Sequence, residues 1–139
     1  VISSIENVYK WGLFRYPLKQ SWYNDRVILI GDAAHPTLPF LAQGAAMAIE
    51  DSFVLASKIF EFSNSSVAFK EFGRERFPRV QRVVLASTKN AHIFHLSNII
   101  SRRVFQVSLR FLSKFFPHLL VKRFNWIYDH NVTNKNYSS

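Results

Sequence analysis

Residues 27–30 (Val-Ile-Leu-Ile) form an unbroken apolar run that stops at Gly31-Asp32. Such a run predicts a strand covered on both faces whose end opens into a crevice. Upstream, residues 8–18 are rich in strand formers and carry Pro17 near their end, which predicts a short first strand. Gln20 to Asp25 are mostly polar and predict the turn between the two strands. Pro36 and Pro39 then hold residues 33–41 out of helix, since each fixes its own φ and biases the residue before it toward an extended conformation.

From Gly44 the apolar positions recur at helical spacing and place Ala48, Ile49, Phe53, Leu55, Ala56, Ile59 and Phe60 on one broad face. Lys58 in the last turn agrees with the helix dipole. Ser63-Asn-Ser-Ser66 reads as a stop and restart, with Ser65 or Ser66 as the N-cap of a second helix reaching about His95. In that helix Arg74, Arg76, Arg79 and Arg82 alternate with Phe72, Phe77, Val80, Val83 and Val84, the pattern of a surface helix with a kink expected at Pro78. Two further amphipathic helices flank Pro117 between Ile99 and Trp126, and the polar tail 129–139 is expected to fray.

Charge divides the chain. Residues 1–64 hold five Lys and Arg against six Asp and Glu, whereas residues 65–139 hold thirteen against three. A basic half of this kind fits a solvated helix face or an acidic partner domain better than nucleic acid, because no basic run accompanies it. A peripheral membrane helix built from Phe105, Leu109, Phe111, Leu112, Phe115 and Phe116 with Arg102, Arg103, Arg110 and Lys114 is the less favoured alternative to a helix that packs those aromatics against the flavin domain of a longer parent. The chain has no cysteine, so disulfides and thiol chemistry are excluded, and a cytoplasmic location is the simplest expectation. Redox chemistry would require a bound cofactor.

The chemistry concentrates at the end of the apolar run. Asp32 directly follows it and is placed to accept hydrogen bonds from the hydroxyls of a bound sugar or polyol. Gly44 allows close backbone approach, and the N–H groups of Ala45 and Ala46 open a helix at its positive end, where developing negative charge is favoured. Small side chains at 44–46 suit a flat ring packed against backbone.

The stretch Gly31-Asp-Ala-Ala-His-Pro-Thr-Leu-Pro-Phe-Leu-Ala-Gln-Gly-Ala-Ala-Met-Ala-Ile-Glu-Asp51, preceded by Trp11-x-Leu-Phe and Pro17-Leu, resembles the C-terminal FAD motif of the single-component aromatic hydroxylases. That group contains salicylate hydroxylase, hydroxybenzoate hydroxylases and zeaxanthin epoxidase. The resemblance is strongest over about residues 8–60. It implies an α/β fragment: short strands plus the C-terminal helices of a Rossmann-like, GR2-type FAD-binding monooxygenase fold. Residues 1–64 would be the last part of the FAD-binding domain and 65–128 a helical C-terminal region. Asp32 would bind the ribityl chain beside Gly31, and the backbone of Gly44, Ala45 and Ala46 would face the pyrimidine edge of the flavin. Pro39 would lie beside the ring, its carbonyl helping to orient a phenolic substrate. His35 is the obvious acid or base, though a His in a stiff loop is more often structural.

The implied reaction uses NAD(P)H as transient reductant and O2 to hydroxylate a small aromatic acid such as salicylate or a hydroxybenzoate. A quinone precursor or an isoprenoid remains an alternative acceptor. Two departures from the family's pattern are Ser52 for a usual Ala, and Arg15 where an acid is common. The Gly-x-Gly-x-x-Gly turn for the ADP half of FAD is absent. The expectation is therefore one part of a bipartite site, completed by N-terminal segments in cis or in trans, with the isolated chain neither holding FAD tightly nor hydroxylating. A non-catalytic remnant or basic interaction module is the competing reading.

Overall fold

The computed structural model describes residues 7–9, 12, 14, 16–95 and 97–133. Its first regular element is a two-stranded antiparallel hairpin, β1 (Tyr23–Asn24) and β2 (Val27–Ile28). The Asn24 carboxamide accepts the Asp25 N–H in the turn (2.8 Å), and Leu29 N–H donates to the Trp22 carbonyl (2.8 Å), extending the pairing. The turn thus sits at Asp25-Arg26 rather than across 20–25. Described residues within 8–18 form no strand, and 10, 11, 13 and 15 of that segment lie outside the described set, as do 134–139 of the tail.

Nor is the apolar run covered twice. Ile28 and Ile30 pack against the core while Val27 and Leu29 are exposed. The hairpin has helices on one side only among the described residues, so alternate side chains of the run reach solvent.

Helix α1 (Gly44–Glu61) and helix α2 (Ser65–Phe94) pack lengthwise against each other and supply most of the core. Asn64 caps α2: its Oδ1 accepts the N–H groups of Ser66 (2.9 Å) and Val67 (3.3 Å), so the cap precedes the serines that the sequence pattern favours. Helix α2 continues through Pro78 to the C-cap at His95. Trp22, Met47, Val54, Phe72, Val80 and Val83 form the buried cluster.

The buried stripe of α1 differs from the predicted one. Met47, Asp51 and Val54 face inward, whereas Ile49, Phe53, Ile59 and Phe60 are exposed, Phe60 at 95 %. Helix α1 turns its acidic position inward because α2 presents arginines there. A hydrophobicity pattern scores both groups as surface. Beyond α2, helix α3 (Ile99–Phe115) stands off this core and packs mainly on α4 (Pro117–Lys122), which Pro117 opens as expected. A short α5 (Asn125–Tyr128) returns to α2, where Ile127 is buried.

Candidate functional site

At the end of the hairpin, Gly31–Ala33 make one 3₁₀ turn, with Gly31 at φ +57°. A Cβ on Gly31 would stand 3.1 Å from the Ala48 Cβ of α1. Left-handed backbone and lack of space both call for glycine here. The turn is fastened by Asp51, whose Oδ2 accepts the Gly31 N–H at 2.9 Å.

That carboxylate is the centre of a buried polar cluster. His35 Nε2 lies 2.6 Å from Asp51 Oδ2, and Arg76 Nε donates to Oδ1 at 2.7 Å. His35, Asp51 and Arg76 are each at most 1 % exposed. Arg76 Nη1 also pairs with Glu50 at 2.7 Å, and Glu50 takes a second bond from Arg79 Nη2 at 3.2 Å. Arg79 donates onward to the carbonyls of Trp126 (3.0 Å) and Ile127 (3.0 Å), which ties α5 to the same network. Burial pushes the Asp51 carboxyl up, but hydrogen bonds from His35, Gly31 and Arg76 outweigh it and hold the group below its ordinary value. Glu50 is held low in the same manner, burial being outweighed by its bonds and charge interactions with Arg79 and Arg76.

Arg76 is thus a core residue and Arg79 is half-buried beside it, correcting the surface-helix reading for these two arginines. A sequence signal existed: adjacent acids at 50 and 51 on one helix and arginines at 76 and 79, one turn apart, on the next. His35 sits in this cluster with the Trp22 ring 5.3 Å away. Its place is structural, between the loop and α1.

Of the remaining residues singled out from the sequence, Asp32 and Gly44 come together on the outer side of this anchor. Asp32 is exposed, and its carboxylate has no hydrogen-bond partner among the described residues. A Cβ on Gly44 would meet Asp32 Oδ1 at 3.6 Å and Thr37 Oγ1 at 3.8 Å. These are ordinary contacts, so packing inside the chain does not demand glycine at 44. The hydrogen-bond ladder of α1 starts with Met47 N–H on the Gln43 carbonyl (2.9 Å). The N–H groups of Gly44, Ala45 and Ala46 precede that ladder, as the first groups of a helix do. Ala45 is exposed and Gly44 and Ala46 half-buried.

The loop between is held as well. Ser87 of α2 donates to the Leu38 carbonyl (2.7 Å), and Pro39 opens a second 3₁₀ turn, Pro39–Leu41, on an exposed face. Beside Asp32 a cavity of about 350 Å³ is lined by Tyr16, Pro17, Trp22, Leu29 and Pro36. A free carboxylate, a helix start with unused donors and a bare glycine between them could hold a ligand carrying both hydroxyls and an electron-rich edge. Those are the attributes of a flavin with its ribityl chain.

This chain is similar to known flavin-binding proteins. The sequence profile described as FAD binding domain matches residues 3–87. The chain is 36 % identical over 124 residues to a 3-hydroxybenzoate 6-hydroxylase of Polaromonas naphthalenivorans, covering 86 % of this chain and 29 % of that protein. It is 38 % identical over 97 residues to the 3-amino-4-hydroxybenzoate 2-monooxygenase PtmB3 of Streptomyces platensis, covering 69 % of this chain and 24 % of the relative. A crystal structure of Klebsiella pneumoniae HpxO complexed with FAD and uric acid superposes with a TM-score of 0.62 at 30 % identity, over 66 % of this chain and 24 % of that one. The chain therefore spans about a quarter of the length of these proteins. With a profile match over more than half its residues, and relatives named as a hydroxybenzoate monooxygenase and a hydroxybenzoate hydroxylase, the chain belongs to the FAD binding domain family.

Proposed function

We propose that this chain supplies the flavin-facing turn and helix of a cytoplasmic aromatic-ring hydroxylase that uses NAD(P)H and O2. The observation that carries the reading is the juxtaposition of Asp32 Oδ1 with bare Gly44 at the start of α1. Asp32 accepts hydrogen bonds from the ribityl hydroxyls, next to the Gly31 backbone. The N–H groups of Gly44, Ala45 and Ala46, at the positive end of α1, stabilise negative charge at the pyrimidine edge of the ring. Pro39 would lie beside the flavin, and its carbonyl, which already accepts the Ala42 N–H (3.1 Å), would use its second lone pair to orient a phenolic hydroxyl. When bound, FAD supplies electron transfer and oxygen activation. The protein's share is to hold the ring, to place charge and to keep the loop rigid.

The acceptor class we infer is a small aromatic acid such as salicylate or a hydroxybenzoate, in line with the names of the relatives. The uric acid bound to HpxO shows that a relative of this fold accommodates an electron-rich heterocycle. The hairpin and α1 would close a Rossmann-like, GR2-type FAD domain whose Gly-rich ADP-binding turn comes from segments outside this sequence.

A chimera provides the test, with this chain replacing the matching segment of the Polaromonas hydroxylase. The expected product is yellow, carries FAD and oxidises NAD(P)H in response to an aromatic acid. Asp32→Ala should weaken FAD retention about tenfold or more, the cost of one or two lost hydrogen bonds to the ribityl chain. A folded chimera that holds no FAD, or one in which Asp32→Ala retains it fully, would overturn the proposal.

A further inference from the structure

Among the described elements, helix α3 is exposed over most of its length. Every residue from Ile99 to Phe111 is exposed, and the main packing of α3 is on α4. Ile100, Val104, Val107, Phe111 and Phe115 recur at helical spacing, so they line one stripe. All five are more than half exposed. Arg103, Arg110 and Lys114 run along the edge of that stripe, at spacings that also keep them on one side of the helix. The charge around them is unopposed in sequence: no Asp or Glu occurs between Glu75 and Asp129.

We infer that α3 docks, lying flat, on a bilayer surface that carries anionic phospholipids. Both features of the helix find a counterpart there. The apolar stripe sinks to the level of the upper acyl chains, while the long Arg and Lys stems lie along it and place their charges among the headgroup phosphates. Nucleic acid would match the cations but leave the aliphatic stripe in water, and it offers no surface for Ile100, Val104 or Val107. Seventeen residues give a helix about 25 Å long, enough to rest on a surface, and no described helix is long and apolar enough to cross a membrane. This contact is independent of the flavin reading, because α3 contributes nothing to the Asp32 cradle.

The test uses the whole 139-residue chain and phosphatidylcholine vesicles made with or without phosphatidylglycerol. Co-sedimentation is expected only with the anionic vesicles, and high salt should release the chain. The triple variant Arg103→Gln/Arg110→Gln/Lys114→Gln should bind on the order of 100-fold more weakly. Its charge-matched control, Arg26→Gln/Lys70→Gln/Arg74→Gln, should lose far less. All six positions are exposed, and circular dichroism confirms that both variants keep their helices. A Phe111→Trp chain should show, on adding anionic vesicles, a blue shift beyond any shown by the unsubstituted chain, which holds three Trp of its own.

Equal losses in the two triple variants would mean charge attraction without docking, and would overturn the inference. So would equal binding to neutral vesicles or an unshifted indole. A blue shift without vesicles, together with a dimeric mass in light scattering, would assign the stripe to a second copy instead.

Discussion

Arg76 of α2 reaches Asp51 of α1 across 2.7 Å, with both side chains withdrawn from water. The same carboxylate holds the Gly31 N–H. One carboxylate therefore links the two long helices and, through Gly31, the turn that carries Asp32.

Removing one partner of this buried pair should be strongly destabilising. Arg76→Ala leaves Asp51 charged and buried, and a loss of about 3–5 kcal/mol is expected. In a domain of marginal stability that loss abolishes cooperative unfolding. Arg76→Lys should rescue little, since a single ammonium cannot bond Asp51 and Glu50 in the forked geometry of the guanidinium. Urea titration followed by far-ultraviolet circular dichroism reads all three chains.

The two site glycines should separate. Gly31→Ala meets a left-handed φ and a 3.1 Å approach to Ala48, and should cost about 1–2 kcal/mol or more of stability. Gly44→Ala meets only ordinary contacts at 3.6 and 3.8 Å and should leave the melting temperature unchanged or slightly higher. In the chimera described above, the same Gly44→Ala change should weaken FAD binding. Equal stability losses at the two positions would refute the distinction.

Acid should loosen the helix pair. The folded-state values of Asp51 and Glu50 lie below their ordinary 3.8 and 4.5, so the unfolded chain binds protons first as pH falls. The stability they contribute is complete above those ordinary values and drains away as pH drops through them toward the lower folded values. Thermal melts should show a falling midpoint below about pH 4.5. An Asp51→Asn chain should start lower at neutral pH and change less with acid.

Helix α3 depends on its own sequence more than on packing. Asn98 Oδ1 accepts the N–H groups of Ile100 (2.8 Å) and Ser101 (3.4 Å). Asn98→Ala should remove about 1 kcal/mol from that helix, seen as reduced helical ellipticity and faster amide exchange confined to 99–115. Exchange that quickens equally in α2 would contradict an independently standing α3.

Much of this protein is legible along the chain because its signals are local. Helix α1 begins at Gly44, α2 stops near His95 and α4 opens at Pro117, since backbone freedom, capping and proline geometry act within a few residues. The candidate flavin contacts at Gly31, Asp32 and Gly44–Ala46 follow from one contiguous motif, and the structure brings Asp32 and Gly44 side by side.

Tertiary structure decided what a one-dimensional pattern cannot carry. Burial of Asp51 and Arg76 depends on their meeting 25 positions apart, because a charge leaves water only where a partner waits for it. The inward turn of α1 follows from that pairing, and with it the exposure of Ile49 and Phe60. The hairpin likewise packs one side of an apolar run and leaves Val27 and Leu29 in water, for hydrophobicity sets how strongly a side chain favours burial and only its neighbours determine whether burial occurs.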